Sequence, residues 1–183
     1  QANADATTCD TCAAGKSTET SGQSSCRSCG TRLKCPGGGE LAFPCQNGFF
    51  QDETGQAQCK QCGSPALYQG DALYGSAACS AVTEGYFSTG GSSETTRTGQ
   101  QQCAVGHKCV GGKHIECGQN EYQPAMEESS CLSLPLGTFG IGGTATTSIG
   151  FEQCNQGSFC LNGIQLECLG GTYNPFYSKT ECS

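Results

Sequence analysis

Four cysteines at fixed distances recur along this chain. Cys103-x5-Cys109-x7-Cys117-x13-Cys131 reappears 51 positions later as Cys154-x5-Cys160-x7-Cys168-x13-Cys182. An earlier version, Cys29-x5-Cys35-x9-Cys45-x13-Cys59, carries two extra residues, and Cys12-x13-Cys26 matches the last loop of a truncated copy. Other positions keep the frame: Gly106 answers to Gly157, Gly112 to Gly163, Glu116 to Glu167 and Pro124 to Pro175. The connectors agree too, Gly85-Tyr86-Phe87 with Gly90-Gly91 matching Gly137-Thr138-Phe139 with Gly142-Gly143. Self-similarity at such a period marks a tandem array, in which each unit contacts mainly its neighbours. The frame divides the chain into a partial cysteine-rich module over residues 1–28 and a module with an extra loop over 29–78. Two closely matched repeats follow, over 79–130 and 131–183. Stacked units of this kind predict an elongated rod.

Composition explains why such units need staples. The 183 residues include 17 cysteines and 28 glycines, with 35% apolar residues, cysteine counted among them, one Met and no Trp. Ordering a chain costs roughly 1.5 kcal/mol per residue, more than this apolar content offsets by burial. Disulfides of about 2–4 kcal/mol each supply the difference. Thiols at this density imply an oxidising compartment, hence a secreted or cell-surface protein.

Charge excludes further classes. Nine Lys and Arg face sixteen Asp and Glu, a net charge of −7, and no basic run exists. Binding to nucleic acid by phosphate neutralisation is therefore not expected. No apolar stretch approaches the ~18 residues of a membrane span. Residue 1 is Gln rather than Met, so the sequence reads as a mature chain or a segment of something longer, with any targeting signal outside it.

Sixteen cysteines can make eight bridges, and the seventeenth is left over. An economical scheme pairs first with third and second with fourth in each frame. It gives Cys29–Cys45 with Cys35–Cys59, Cys103–Cys117 with Cys109–Cys131, and Cys154–Cys168 with Cys160–Cys182. Cys62–Cys79 then closes the extra loop, and one of Cys9, Cys12 and Cys26 lacks an internal partner. A second scheme begins with Cys9–Cys26 and Cys12–Cys29 and displaces the rest; spacing does not choose between them. Cys9, Cys12, Cys26 and Cys29 also have the Cys-x2-Cys pairs of a four-thiolate zinc ribbon, with a gap slightly short for one. No second clean pair of such knuckles follows, and no metal or other cofactor is expected. His107 and His114 have no recognised ligand spacing and read as solvated loop residues.

Within the x13 loops, the third residue after the opening cysteine is Gly15, Gly48, Asn120 or Gly171, types that tolerate a left-handed backbone. Two positions on stand Phe50, Tyr122 and Tyr173, with Ser17 in the first copy. These aromatics read as the main packing residues of hairpins too small to have a core. Gly48-Phe49-Phe50-Gln51, running through Thr54-Gly55-Gln56 to Cys59, reads as strand, turn and return strand pinned by terminal cysteines. No 12-residue window has helical apolar spacing without Gly or Pro. The fold class expected is small and disulfide-rich: tandem modules of short β-hairpins and irregular loops, with almost no helix.

Cys-x2-Gly-x-aromatic, a Ser/Thr/Gly-rich run and a closing Cys, as in residues 45–62, 117–131 and 168–182, resembles the ephrin-receptor-like cysteine-rich repeat. It is also similar to EGF-like and tumour-necrosis-factor-receptor-like modules. Gly106-His107-Lys108-Cys109-Val110-Gly111-Gly112 matches the first family's Gly-x-x-Cys-x-Gly-Gly segment, and residues 157–163 depart from it at Asn162. The resemblance covers most of residues 9–182. It implies an extracellular, disulfide-linked, non-enzymatic segment such as occurs in receptors, adhesion proteins and protist surface proteins. The calcium-binding EGF signature is not evident, so calcium is not implied.

Catalytic motifs are missing: Gly-x-Ser-x-Gly, His-Glu-x-x-His, a phosphate loop and a dinucleotide fingerprint are all lacking. The acid pairs Asp52-Glu53 and Glu127-Glu128 sit at turn-like positions and read as solvated. The expectation is a non-enzymatic structural protein of a surface coat or extracellular filament, self-associating head to tail. The competing reading is a ligand-binding or adhesion segment of a surface receptor, with Leu67-Tyr68 and Leu73-Tyr74 of the extra loop as its contact residues. None of the asparagines lies in an Asn-x-Ser/Thr acceptor site. Ser92 to Thr98 and Thr144 to Ser148 are candidate O-glycan runs, and read equally well as solvated loops.

Overall fold

The computed structural model of the chain describes residues 9–70, 73–144 and 146–183. Residues 1–8 of the expected partial module, Asp71 and Ala72 of the extra loop, and Ala145 of the second Ser/Thr run lie outside them. The described residues form nine two-stranded antiparallel hairpins and no helix, each strand pairing with the next in sequence. The hairpins are β1/β2 (Lys16–Ser17, Arg27–Ser28), β3/β4 (Leu33–Lys34, Phe43–Pro44), β5/β6 (Phe49–Phe50, Lys60–Gln61) and β7/β8 (Leu67–Tyr68, Ser80–Ala81). They continue with β9/β10 (Tyr86–Thr89, Gly99–Gln102), β11/β12 (His107–Val110, Lys113–Glu116) and β13/β14 (Glu121–Tyr122, Leu132–Ser133). The last are β15/β16 (Thr138–Ile141, Gly150–Gln153) and β17/β18 (Ser158–Leu161, Ile164–Glu167). The small disulfide-rich, tandem-hairpin fold expected from the sequence is the fold observed.

Glycine starts most of these hairpins. The amide of Lys16 bonds to Ala13 O, and the same four-residue turn precedes Phe49, Tyr86, His107, Thr138 and Ser158. The third residue of each is a glycine (15, 48, 85, 106, 137 or 157) at positive φ, as a type II turn requires. Gly171 takes φ +95° in the equivalent turn. Asn120 does not follow. Its turn closes from Glu121 N to Gly118 O without a left-handed residue, as a type I turn permits without strain on the side chain.

The Gly-Gly segment has its own geometry. Gly111 and Gly112, and their counterparts Asn162 and Gly163, all have positive φ, which makes two-residue turns of type I′. The turn sets the same register twice: His107 opposite Glu116 and Val110 opposite Lys113, then Ser158 opposite Glu167 and Leu161 opposite Ile164. His107 and His114 therefore lie on paired strands, not in a loop.

The bridges differ from the crossed schemes. Cys29 pairs with Cys35, Cys103 with Cys109 and Cys154 with Cys160. Cys45 pairs with Cys59, Cys117 with Cys131 and Cys168 with Cys182. Cys12–Cys26 and Cys62–Cys79 complete the set. First joins second and third joins fourth. Two features drive this. The I′ hairpin returns the chain so that Cys117 N bonds Gly106 O, and the next hairpin, β13/β14, brings Cys117 to Cys131 across its own x13 loop. Local pairing also closes shorter loops, and closure entropy rises with loop length. Among the described residues Cys9, which is exposed, has no disulfide partner. The zinc ribbon is overturned as well, because Cys12, Cys26 and Cys29 have their sulfurs in bridges and offer no thiolate.

Bridges and amides fill the interior. The buried apolar residues are ten cysteines and Leu134. Beside them lie Gln51, Gln123 and Asn174, each six residues after the cysteine that opens an x13 loop. Gln51 Nε2 donates to Gln58 O at 2.7 Å while its Oε1 accepts from Glu53 N at 3.0 Å. Gln123 repeats this with Ser130 O at 2.7 Å and Ala125 N at 3.0 Å. The shorter Asn174 accepts from Phe176 N at 3.1 Å but donates to Ser158 O at 2.6 Å. Each amide thus satisfies backbone groups that a loop of this size leaves without secondary structure.

The described residues fall into two compact units, one within residues 9–81 with 88–99, the other within 82–87 with 100–183. In the first, Gly63 N bonds Thr95 O at 3.0 Å and Gln69 N bonds Arg97 O at 2.9 Å, which holds residues 88–99 to the module with the extra loop. The second contains the frame from Cys103 and the whole last repeat. There, Leu134 N bonds Asn120 O at 3.0 Å, Gln123 N bonds Ser148 O at 3.0 Å and Gly140 N bonds Gly163 O at 3.1 Å. Tyr122 meets Phe151 edge to face, with ring centroids 5.0 Å apart. Residues 131–153 therefore cover one face of the repeat before them.

Candidate interaction surface

The second unit presents the same face twice, once covered and once open. Gly106 is buried, and a Cβ there would lie 3.1 Å from Cβ of Thr147 in the following repeat. Its counterpart Gly157 is exposed, with nothing within 4 Å of the same position. Cys117 is 1% exposed, whereas Cys168 is half-buried. Tyr122 is half-buried against Phe151, whereas Tyr173 is 66% exposed. The expected packing role of the loop aromatics thus holds for Phe50 and Tyr122, both half-buried, and fails for Tyr173. The reason is tertiary: Tyr122 packs on Phe151 of the following repeat, whereas the last loop bonds within its own repeat, Asn174 O accepting from Gly157 N, Lys179 O from Cys160 N, and Tyr173 pairing with Ser183.

Around Tyr173 the last repeat is more apolar than its sister. Phe159, Leu169, Phe176 and Tyr177 stand where the earlier repeat has Lys108, Gly118, Ala125 and Met126. Leu169, Phe176 and Tyr177 are all exposed. Phe159, Leu166, Leu169 and the Cys168–Cys182 bridge border a groove of about 460 Å³ with Glu167 and Glu181 at its rim. The sequence held the signal for this patch: subtracting one repeat from the other, position by position, isolates these substitutions.

Other features named from the sequence lie elsewhere. Leu67 and Tyr68 are half-buried in β7, while Leu73 and Tyr74 are strongly exposed. His107 and His114 stack with centroids 4.0 Å apart, and Phe87 lies 4.6 Å from His114. Burial lowers the pKa of His114, the charge of His107 adds to that, and Glu116 opposes it. His114 also lies near Cys103 and Cys109, but their sulfurs are bonded to each other. Cys117, Glu121 and Cys131 form a similar cluster around another bridge. Neither cluster offers a thiolate to a metal.

The acid pairs are engaged. Asp52 and Glu53 both accept from Lys60 Nζ at 2.8 Å, which lowers the Asp52 pKa and raises that of Lys60. Glu127 accepts from Tyr86 Oη at 3.1 Å and from Gln102 Nε2. In the two Ser/Thr runs, Thr96 and Thr147 are buried and their hydroxyls accept from Ser93 N and Thr144 N. Those two hydroxyls are closed to a sugar, while Ser92, Ser93 and Thr144 are exposed.

Among the described residues no helix is long and apolar enough to cross a membrane. No family model matches the chain, and no curated protein sequence matches it.

Proposed function

We propose that this chain is a non-enzymatic extracellular structural subunit, a bridge-stapled tandem repeat that assembles end to end into a surface coat or filament. The observation that carries this reading is the fit of repeat upon repeat in the second unit, where residues 131–153 cover the preceding face with backbone bonds and the Tyr122–Phe151 pair. The buried positions go to bridges and amide clamps, which hold shape. Sixteen bridged cysteines favour an oxidising, extracellular setting. The resemblance to ephrin-receptor-like and EGF-like repeats agrees with that setting. Electron microscopy of protein produced in an oxidising compartment tests the reading. Ordered polymers are the expected result, and dispersed single particles at high concentration would refute it.

A second reading, an adhesion or ligand-binding segment of a surface receptor, is favoured by Leu73 and Tyr74, 77% and 72% exposed in the extra loop. Under that reading the chain stays monomeric and Leu73→Ser/Tyr74→Ser abolishes binding to cells.

A further inference from the structure

We propose that the groove between β3/β4 and β5/β6 binds an acidic sugar, a uronic acid held through its carboxylate by Lys34. Lys34, Pro36, Pro44, Gln46, Phe49 and Gln58 line this groove, whose volume is about 420 Å³. That volume lies within the ordinary range of small-ligand sites. The groove belongs wholly to the first unit.

The repeat over 79–130 shows what such a lysine holds. Frame, bridges and register all equate the two places. Cys29–Cys35 and Cys45–Cys59 answer to Cys103–Cys109 and Cys117–Cys131. Lys34 is opposite Phe43 as Lys108 is opposite Ile115, and Phe49 is opposite Gln61 as Glu121 is opposite Ser133. The same backbone bonds join hairpin to x13 loop: Arg32 N to Gln51 O at 2.7 Å and Cys35 N to Gln56 O at 2.9 Å in one, Gly106 N to Gln123 O and Cys109 N to Glu128 O, both at 2.8 Å, in the other. Lys34 therefore corresponds to Lys108, Gln46 to Gly118 and Phe49 to Glu121. In the later repeat the Glu121 carboxylate lies 4.0 Å from Lys108 Nζ and accepts from Gly118 N at 3.1 Å.

In the groove the lysine is kept and its acid is gone. Phe49 stands in place of Glu121, and among the described residues Lys34 Nζ makes no ion pair. No other charged residue lines the groove. Of the remaining charges on these two hairpins, Asp52 and Glu53 are held by Lys60 at 2.8 Å, and Arg32 and Glu40 are exposed. A carboxylate from outside restores at Lys34 the charge-assisted contact that Glu121 makes at Lys108.

The rest of the lining selects what carries that carboxylate. Phe49 and the two prolines offer apolar faces to the C–H groups of a pyranose ring. The side-chain amides of Gln46 and Gln58, both exposed, offer donors and acceptors to its hydroxyls. A uronic acid carries carboxylate, C–H face and hydroxyls on one ring, whereas an acidic peptide side chain brings only the first. The last repeat has Phe159 in place of the lysine and Glu167 and Glu181 at its groove, which excludes an anionic sugar there.

Saturation-transfer NMR on the whole bridged chain with sodium glucuronate tests this, with glucose and the N-acetyl amide of glutamate as comparison ligands at matched ionic strength. The method observes the ligand and works for a carrier of any size, so assembly does not interfere. Glucuronate should show saturable transfer to its ring protons, glucose none, and the glutamate derivative clearly weaker binding. Lys34→Gln should weaken glucuronate binding about tenfold, the effect of one lost charge-assisted hydrogen bond. Phe49→Glu supplies the acid of the later repeat, pairs with Lys34 and should abolish binding. Absence of saturable transfer from the wild type, or undiminished binding by Lys34→Gln, would overturn the site. Equal binding of the glutamate derivative would overturn the sugar as its ligand. A chain that binds glucuronate without polymerising would uphold the site and refute the assembly reading.

Discussion

Gln123 closes its own loop, donating from Nε2 to the carbonyl oxygen of Ser130 at 2.7 Å while both residues lie between the bridged Cys117 and Cys131. Gln51 does the same with Gln58 between Cys45 and Cys59. A buried amide that serves two backbone groups leaves both unsatisfied when removed. Gln123→Leu should therefore cost about 1–3 kcal/mol, read as a fall in the denaturant midpoint with the bridges intact. An unchanged midpoint would show that the clamp is dispensable.

Gly137 and Gly157 separate backbone strain from collision. Both have positive φ, +72° and +76°. A Cβ on Gly137 would run into the carbonyl of Ser178, while one on Gly157 meets nothing. Gly157→Ala should cost about 1–2 kcal/mol, the price of a left-handed alanine. Gly137→Ala should cost clearly more, and equal losses in thermal unfolding would contradict the close approach.

Peptide mapping without reduction should find Cys109 joined to Cys103 and Cys117 joined to Cys131. Alkylation of the native protein should modify one cysteine, Cys9. Removing Cys117–Cys131 as a double alanine variant should cost about 3 kcal/mol, and removing the shorter Cys103–Cys109 loop about 2 kcal/mol. A peptide linking Cys109 to Cys131 would restore the crossed scheme.

Acid should weaken the second unit through His114. Its folded pKa lies below the ordinary histidine value, chiefly from burial. The unfolded chain then takes up a proton first, so stability present above the unfolded pKa, near 6.5, is lost as pH falls through it towards the folded value. The unfolding midpoint should drop between pH 7.5 and 5.5, and His114→Phe should flatten that slope. His107, which stacks on His114, and Glu116, whose charge opposes the shift, are the neighbouring titratable groups that must be followed in the same titration.

Much of this fold is legible in the spacing of cysteines and glycines. The repeat at 51 positions, the lack of helix and the placement of hairpins at Gly-x-aromatic segments follow from local chemistry, since turns are decided within four residues. His107 and His114 escaped that reading because the I′ turn at Gly111-Gly112, four residues past His107, is what turns the segment into paired strands. The amide clamps escaped it too. Gln51 and Gln123 look like solvated residues until the fold places their amides against carbonyls seven positions away.

The sequence by itself determined the disulfide-rich hairpin fold class, the period and the one cysteine in excess, because each depends on covalent spacing and on residues with few backbone options. Tertiary structure decided the rest. It chose local over crossed bridges, because hairpin register dictates which sulfurs meet. It assigned the unpaired sulfur to Cys9, since Cys12 and Cys26 close a loop together. It also made Tyr122 and Tyr173, identical in the frame, unlike in environment: one lies under the next repeat and the other faces solvent. A repeat encodes its own hairpins, but burial of its face depends on what is stacked against it.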